Sequence, residues 1–322
     1  SEMMGQARKE LTALAEEFPE NLEYRDSLAR SWASLGSQRM REAESRDADE
    51  AFRKAESYFE SLVEADPESV AYRTALGRVL NDRSLLAWYS FHQPEEARQM
   101  HQRSISLLEQ AASSDQDGKA RLALGHAYYR CSTYEYPEDQ GNRAEQEELV
   151  LRSYQIFEQL VSEYPDRREH LSAIGSPCRR LGKLKREQGN LPEAARWYRK
   201  AMEYDRQYST RFPSSPRAHG ALAYSFSKLA QTLEAQTKWS EAETLYRDAM
   251  AIMEGLELES PQKAAGKRNS RIYADRLCDV YYGLGNVIIA NGQTGQDREI
   301  HELDIKRARL RVTIDEQFQV GE

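Results

Sequence analysis

Apolar residues recur along the chain with helical spacing, in two alternating patterns that together repeat about every 48 residues. In the first pattern an aromatic residue follows a leucine by four positions, and a leucine beside a small residue follows by seven, as in Leu28, Trp32, Leu35 and Gly36. Spacings of three and four place these side chains on one face of a helix. We therefore predict a helix whose small residue allows a neighbouring helix to come close.

The second pattern begins 20 residues after the first and pairs an aromatic with two alanines, as in Ala194, Tyr198 and Ala201. Between the two patterns lie breaks such as "EQGNLPEA" (187–194), in which proline followed by acidic residues is typical of a helix N-terminus. Each unit is therefore predicted to be a helical hairpin. No stretch shows the strict alternation that is typical of a β-strand.

Proline, or aspartate in one case, marks the start of each unit at intervals of 48 to 50 residues. The markers are Pro19, Pro67, Asp115, Pro165, Pro213 and Pro261. The predicted repeats are 19–66, 67–114, 115–164, 165–212, 213–260 and 261–322, the last with a C-terminal cap, and residues 1–18 are predicted to be the second helix of a truncated preceding repeat. Pro177 falls inside the predicted first helix of the fourth repeat and is expected to kink or restart it.

These patterns resemble the tetratricopeptide repeat (TPR) family. The residues that carry the likeness are Leu28, Ala29, Trp32 and Gly36 in a first helix, and Ala194, Tyr198 and Ala201 in a second. The usual unit has ~34 residues, and here both gaps between motifs are about seven residues longer, so each helix is expected to be about two turns longer. The long unit is similar to arrays attached to some bacterial Ser/Thr kinases. The resemblance implies an all-α, right-handed TPR-like superhelix (solenoid) of about six long antiparallel helical hairpins.

The composition favours a protein with much surface per residue, because 30% of the residues are charged and the mean hydropathy is −0.82. A net charge of −8 disfavours general attraction to nucleic acids or anionic membranes. No apolar run approaches the ~18 residues of a membrane helix. Three widely spaced cysteines are typical of reduced thiols, which predicts a cytoplasmic location.

Motifs for catalysis or metal binding are missing from the sequence. The six histidines are isolated, no CxxC pair is present, and no glycine-rich phosphate loop of the GxGxxG or P-loop type occurs. We therefore expect no enzyme, no metal and no cofactor, and we expect binding to a protein or peptide partner instead.

The TPR resemblance implies that first helices line a concave groove, with groove positions two residues before and two, five, six and nine residues after the core leucine. The candidate ligand-binding residues at these positions are Arg78, Asn81, Tyr129, Arg130, Arg179, Arg180, Lys183, Tyr224 and Lys228. A band of arginine and lysine suits an acidic or phosphorylated peptide, because guanidinium groups bind carboxylate and phosphate through two hydrogen bonds. The alternative is an ordinary solvated face in which charges pair with acids four residues away, such as Lys183 with Glu187.

Two other functions stay open. The chain could be a structural spacer or oligomerisation module of a larger signalling protein, with its helix faces used for self-association. It could also be an RNA-binding helical repeat, which is less favoured because the chain is acidic and lacks a repeated pair of base-reading residues.

Overall fold

The structure is a computed structural model that describes residues 2–134, 143–259, 267–292 and 296–318. These residues form helices joined by short turns, and no β-strand occurs among them. The helices are α1 (Glu2–Glu17), α2 (Leu22–Arg41), α3 (Ser45–Ala65), α4 (Val70–Tyr89), α5 (Pro94–Ala112), α6 (Lys119–Cys131), α7 (Arg143–Glu163), α8 (Arg168–Glu187), α9 (Leu191–Arg211), α10 (Pro216–Glu234), α11 (Trp239–Glu259), α12 (Lys267–Ala290) and α13 (Asp297–Phe318). The predicted all-α class is confirmed. The predicted boundary at 260/261 lies outside the described residues.

The chain divides into two compact units, Ser1–Glu163 and Tyr164–Glu322, which we call the N-terminal and C-terminal units. In the N-terminal unit the hairpins are α2–α3, α4–α5 and α6–α7, and their first helices α2, α4 and α6 pack side by side. In the C-terminal unit the hairpins are α8–α9, α10–α11 and α12–α13, with α8, α10 and α12 side by side. Each unit is thus a TPR-like stack of antiparallel hairpins.

The small residue of the first pattern packs against the aromatic residue of the second. A Cβ atom on Gly36 of α2 would lie 2.7 Å from Cδ1 of Phe52 on α3, and one on Gly182 of α8 would lie 2.9 Å from Cε1 of Tyr198 on α9. Both rings are almost fully buried. The close approach explains why the two patterns keep a fixed separation in the sequence.

The prolines that mark the units precede the first helices by three residues, at α2, α4, α8 and α10. A polar side chain caps three of these helices, α2, α4 and α10: Oδ1 of Asn21 accepts from the backbone N–H of Glu23 at 3.0 Å, and the hydroxyl oxygens of Ser69 and Ser215 accept in the same way at α4 and α10. Helix α8 has no such side-chain cap. At α6, where proline is replaced by aspartate, the Asp115 carboxylate accepts from the N–H groups of Gly118 and Arg121. Asp115 therefore stands in the proline's place as the cap of a shorter helix.

The turn inside each described hairpin contains one residue in the left-handed conformation, at the end of the first helix. Glycine fills this position at Gly189 and Gly292, whereas Ala43, His92 and Thr237 fill it with positive φ angles of 63°, 55° and 59°. Side chains with a Cβ atom adopt this conformation at some cost. These three turns are therefore strained at one residue each.

Helix α8 runs without a break through Pro177, so the expected restart of the helix is wrong. The missing backbone N–H leaves one helical hydrogen bond unmade, but the ring is buried among the hairpins of the C-terminal unit.

A buried polar network joins α4, α5 and the end of α6 in the N-terminal unit. The Nε2–H of His101 donates to the carbonyl oxygen of Ala127 at 2.9 Å, so Nδ1 accepts from the hydroxyl of Ser84, also at 2.9 Å. The ring of Tyr134 stacks on Trp88, and its hydroxyl lies 3.2 Å from Oγ of Ser84. Burial lowers the pKa of His101 to about 4, and the charge of Arg130 lowers it further, against the opposing effect of the hydrogen bond to Ala127.

Candidate functional site

The N-terminal unit has a groove of about 820 Å³ between α2, α4 and the start of α6. Four of its polar lining residues, two from α2 and two from α4, lie two or six positions after the core leucine, as the helical face predicts. The polar lining includes Arg30, Ser34, Thr74, Arg78, Asp82, Asp117 and Lys119.

Most charges in this groove are neutralised by a neighbour. Arg30 pairs with Asp26 at 2.7 Å and Lys119 with Asp117 at 2.6 Å. Asp82 pairs at 2.6 Å with Arg130, which lies 48 residues further along, at the same position of the next repeat. Arg78 is exposed and forms no ion pair with any residue that the structure describes.

The C-terminal unit carries positive charge around one aromatic ring, that of half-buried Tyr224 on α10. The guanidinium carbon of Arg276 lies 3.9 Å from the ring centroid, Nζ of Lys228 lies 5.3 Å from it, and the guanidinium carbon of Arg179 lies 5.6 Å from it. All three distances are in the range of cation–π attraction. We call this region the tyrosine patch. It consists of these four residues and two neighbours, Arg186 and Gln231, so that its members are Arg179, Arg186, Tyr224, Lys228, Gln231 and Arg276.

Within the tyrosine patch, two cations donate to one neutral oxygen atom. Oε1 of Gln231 accepts from Nζ of Lys228 at 3.1 Å and from Nη1 of Arg186 at 3.3 Å. Neither cation forms an ion pair with a carboxylate among the described residues. Their mutual repulsion is therefore not compensated, because an amide oxygen carries only a partial charge.

Arg179 differs from these two cations because its charge is paired inside the unit. Its Nη1 atom contacts the carboxylate of Asp205 on α9 and donates to Oγ of Ser225 at 3.1 Å. The Arg179 side chain is 15% exposed and that of Asp205 is 2% exposed. Arg179 therefore packs beside the ring of Tyr224 but adds little net charge to the patch.

The surroundings of the patch limit its positive surface to α8, α10 and the start of α12. Lys183 pairs with Glu187 at 3.5 Å, as the alternative interpretation of this charge run expected. Helix α12 presents the exposed acids Asp275 and Asp279.

Burial raises the pKa of Tyr198 to about 12, although the charge of Arg186 acts in the opposite direction, so this phenol is neutral at physiological pH.

The tetratricopeptide repeat model matches residues 222–256, from Leu222 on α10 into α11. This hairpin is a tetratricopeptide repeat. The match covers most of the hairpin that holds Tyr224, Lys228 and Gln231, so these three patch residues lie on the first helix of the matched repeat. No curated protein matches the chain.

Solved structures share the TPR fold at low sequence identity. BtubC from P. vanneervenii is 14% identical with a TM-score of 0.58, over 83% of this chain and 91% of that one. The S. pombe nuclear import adaptor Nro1 is 10% identical with a TM-score of 0.56, over 89% and 100%. A signal transduction ATPase with a tetratricopeptide repeat sensor from Pyrococcus horikoshii is 13% identical with a TM-score of 0.54, over 99% of this chain and 48% of that one. At these identities the likeness shows a common fold and nothing about ligands.

Two candidate groove residues lie largely inside the fold. Asn81 is 5% exposed and Arg179 is largely buried, although both were expected to face the groove. Both occupy the position five residues after the core leucine or isoleucine, which faces the next first helix of the stack. The same position is exposed at Tyr282 of α12, after which no first helix follows in the part of the chain that the structure describes.

The other candidates on the TPR first helices are distributed over both units. Tyr129, Arg130 and Arg180 are half-buried, and Lys183 is exposed. The structure brings Arg179, Tyr224 and Lys228 together in one patch, and it places Arg78 and Arg130 at the groove of the N-terminal unit.

Sequence reasoning missed Arg276, which lies closest to the ring of Tyr224. This residue directly precedes the core leucine, a position outside the groove rule. The sequence nevertheless contains a signal, because the other five repeats place a small residue there: Ser27, Ala75, Ala123, Ala173 and Ala221. The sixth repeat differs from the others because it has one large cation at a position where they have a small residue.

The described residues contain no group of three or more metal-ligating side chains that could hold an ion. Likewise, no helix in the described ranges is long and apolar enough to cross a membrane.

Proposed function

We propose that the protein is a non-catalytic interaction scaffold whose C-terminal unit binds an acidic or phosphorylated segment of a partner protein at the tyrosine patch. One observation carries the proposal: Arg186 and Lys228 donate to the same neutral oxygen of Gln231 and lack carboxylate partners among the described residues. A carboxylate or phosphate placed there would satisfy both donors. It would also remove the repulsion between them.

The strength of such binding follows from the chemistry of the two donors. A hydrogen bond to a charged group contributes about 1.5–3 kcal/mol, and exposure reduces this value. Tyr224 adds a flat surface against which a peptide backbone or side chain packs. Electrostatic complementarity would mainly increase the association rate and select acidic partners.

Two of the structural relatives are described as an adaptor and as carrying a tetratricopeptide repeat sensor. Both descriptions are in keeping with a binding function for this fold. They supply no partner for this chain.

The test compares binding of four labelled probes by fluorescence anisotropy: a glutamate-rich peptide, a phosphoserine peptide, a lysine-rich peptide and a single-stranded RNA. We expect the two acidic peptides to bind and the lysine-rich peptide not to bind. The double variant Arg186→Gln/Lys228→Gln should weaken acidic binding at least about tenfold. The control Arg196→Gln/Arg298→Gln removes the same charge from exposed positions on α9 and α13 and should bind as the wild type.

Replacement of Gln231 by glutamate is the sharpest variant, because it supplies the missing carboxylate without a change of shape. We expect Gln231→Glu to suppress acidic binding as strongly as the double variant. The proposal would be overturned if the control variant Arg196→Gln/Arg298→Gln lost as much affinity for the acidic peptides as Arg186→Gln/Lys228→Gln. It would also be overturned if the wild type bound neither acidic peptide. Tighter binding of RNA than of the peptides would favour the nucleic-acid alternative.

Carboxylate and phosphate ligands are distinguished by pH. The patch contains no histidine, so affinity for the glutamate-rich peptide should stay constant from about pH 6 to about pH 8. Affinity for the phosphoserine peptide should rise over the lower part of that range, because the second phosphate pKa is about 6. A parallel pH dependence for both peptides would contradict direct contact of the phosphate with the patch.

A further inference from the structure

Asp205 on α9 occupies a position that other hairpins fill with an apolar side chain. Counting along the second helices in steps of 48 or 49 residues gives Phe59, Leu108, Phe157, Asp205 and Met253. The four apolar members are at most 3% exposed, and Asp205 is 2% exposed. A carboxylate is therefore buried where the fold elsewhere places a core residue.

The contacts of the first-helix glycines show that these positions are equivalent in space. A Cβ atom on Gly77 would lie 2.7 Å from Leu108, and one on Gly125 would lie 2.5 Å from Phe157. In the hairpin of α8 and α9, a Cβ atom on Gly175 would meet the carboxylate of Asp205. The same first-helix position thus packs against the apolar residue in two hairpins and against Asp205 in the third.

The carboxylate of Asp205 is held in a closed triangle with Arg179 and Ser225. The Ser225 hydroxyl donates to Oδ2 of Asp205 at 2.6 Å, and Arg179 contacts the same oxygen and donates to Ser225 at 3.1 Å. Ser225 is fully buried and directly follows Tyr224 in the sequence. The triangle therefore connects α8, α9 and α10 directly beneath the tyrosine patch.

Fold stability does not explain this triangle. Replacement of a buried ion pair by apolar residues of similar volume is often neutral or stabilising, and four sibling hairpins have an apolar residue at this position. The triangle does fix the guanidinium of Arg179, which lies 5.6 Å from the centroid of the Tyr224 ring. A second cation, Arg276, lies 3.9 Å from the same centroid.

We propose that Asp205 is a positioning residue that, through Arg179, fixes the ring of Tyr224 as the rigid floor of the anion-binding patch. The inference rests on the proposed function for its ligand, but the positioning itself is a property of the unliganded protein. Because Asp205 neutralises Arg179, the pair orders the patch without adding to its net charge. Arg186 and Lys228 supply the charge.

The test uses the full chain with 3-fluorotyrosine at position 224 and the paired variant Arg179→Met/Asp205→Met. In the wild type we expect one sharp ¹⁹F resonance for the fluorotyrosine, and in the paired variant a shifted or broadened one, without ligand in either case. The thermal midpoint of the paired variant should equal or exceed that of the wild type. An unchanged ¹⁹F resonance would overturn the positioning role, whether or not any peptide binds.

Affinity for the glutamate-rich peptide gives a second readout. The paired variant should bind roughly fivefold more weakly, the size of one cation–π contact, with an unchanged dependence on salt because no net charge is lost. In a Tyr224→Leu background the same replacement should have no further effect on affinity. A full fivefold loss in that background would show that the pair does not act through Tyr224 and would overturn the inference.

Ser225→Ala serves as a milder variant should the paired replacement disturb folding. It removes one hydroxyl from the triangle and should give the same ¹⁹F change to a smaller extent. Wild-type protein that binds neither acidic peptide, with a ¹⁹F resonance that responds as expected, would reject the proposed function and keep the positioning role.

Discussion

His101 is neutral in the folded N-terminal unit because burial disfavours the charged form of its ring. Nε2–H donates to the carbonyl of Ala127, and Nδ1 accepts from Ser84. A proton on Nδ1 would reverse the hydrogen bond with Ser84, whose hydroxyl can turn to the carbonyl oxygen of Asn81, but it would place a charge in a buried site close to Arg130. The unfolded chain has no such penalty, so acid favours unfolding at this residue.

Stability should therefore fall as the pH decreases from 6.5 to about 4, the ordinary and folded pKa values of this histidine. Because the folded pKa is the lower one, the contribution is fully present above pH 6.5 and is lost progressively below it. The expected loss in unfolding free energy is about 3 kcal/mol. Urea denaturation at a series of pH values measures it.

His101→Gln is the matched control, since its amide can still donate to Ala127 but does not titrate. Carboxylates titrate in both proteins, so the difference between the two pH curves isolates His101. Parallel curves would show that folding leaves the pKa of this histidine unchanged.

Three hairpin turns have a residue with a side chain at a backbone position that favours glycine. Ala43, His92 and Thr237 adopt a left-handed conformation that Gly189 and Gly292 adopt without steric cost. Thr237 is the most strained of the three, because its Cβ atom is branched. It is exposed, so its side chain contributes little packing.

We expect Thr237→Gly to raise the unfolding free energy by about 0.5 kcal/mol, the relief of strain less the greater entropy of glycine in the unfolded chain. Thr237→Ala should give a smaller gain, and Gly189→Ala should destabilise by about 1 kcal/mol. Thermal denaturation of the three variants measures these changes. A loss of stability in Thr237→Gly would indicate that the threonine side chain stabilises the turn.

Hairpins were predictable from the sequence because their determinants are local. Leucine, small and aromatic residues repeat at helical spacing, and a close small–aromatic contact joins the two helices of a hairpin, as Gly36 with Phe52 and Gly182 with Tyr198. The site was less predictable because it depends on contacts between repeats. The position of Arg179 points to the next first helix, and its partner Asp205 lies on a second helix at a core position. A count along one helix carries no information about such a neighbour.

At the scale of the molecule, each of the two units has a hydrophobic core of its own. In the N-terminal unit one core cluster includes Phe52, Phe59 and Leu62, and in the C-terminal unit one includes Tyr246 and Leu284. In repeat proteins, stability is approximately a sum of local terms and contacts between neighbours. The two units can therefore differ in stability.

The four tryptophans report on this directly, because two lie in each unit. With Trp197→Phe/Trp239→Phe, fluorescence follows the N-terminal unit through Trp32 and Trp88, and the converse pair follows the C-terminal unit. Leu62→Ala should cost about 3 kcal/mol and lower the denaturation midpoint seen by the N-terminal reporters more than that seen by the others. Leu284→Ala is the converse control. Equal shifts for both reporters would show that the chain unfolds as one cooperative unit.

The amide of Gln231 also has an evolutionary consequence. A single base change converts a glutamine codon to a glutamate codon, and the two side chains have nearly the same shape. Such a change would let Arg186 and Lys228 pair with a carboxylate of their own and would close the patch to outside anions, while every helix contact stays as it is. Descendants of this sequence could therefore lose or regain a class of partners in one mutational step, without passing through a destabilised intermediate.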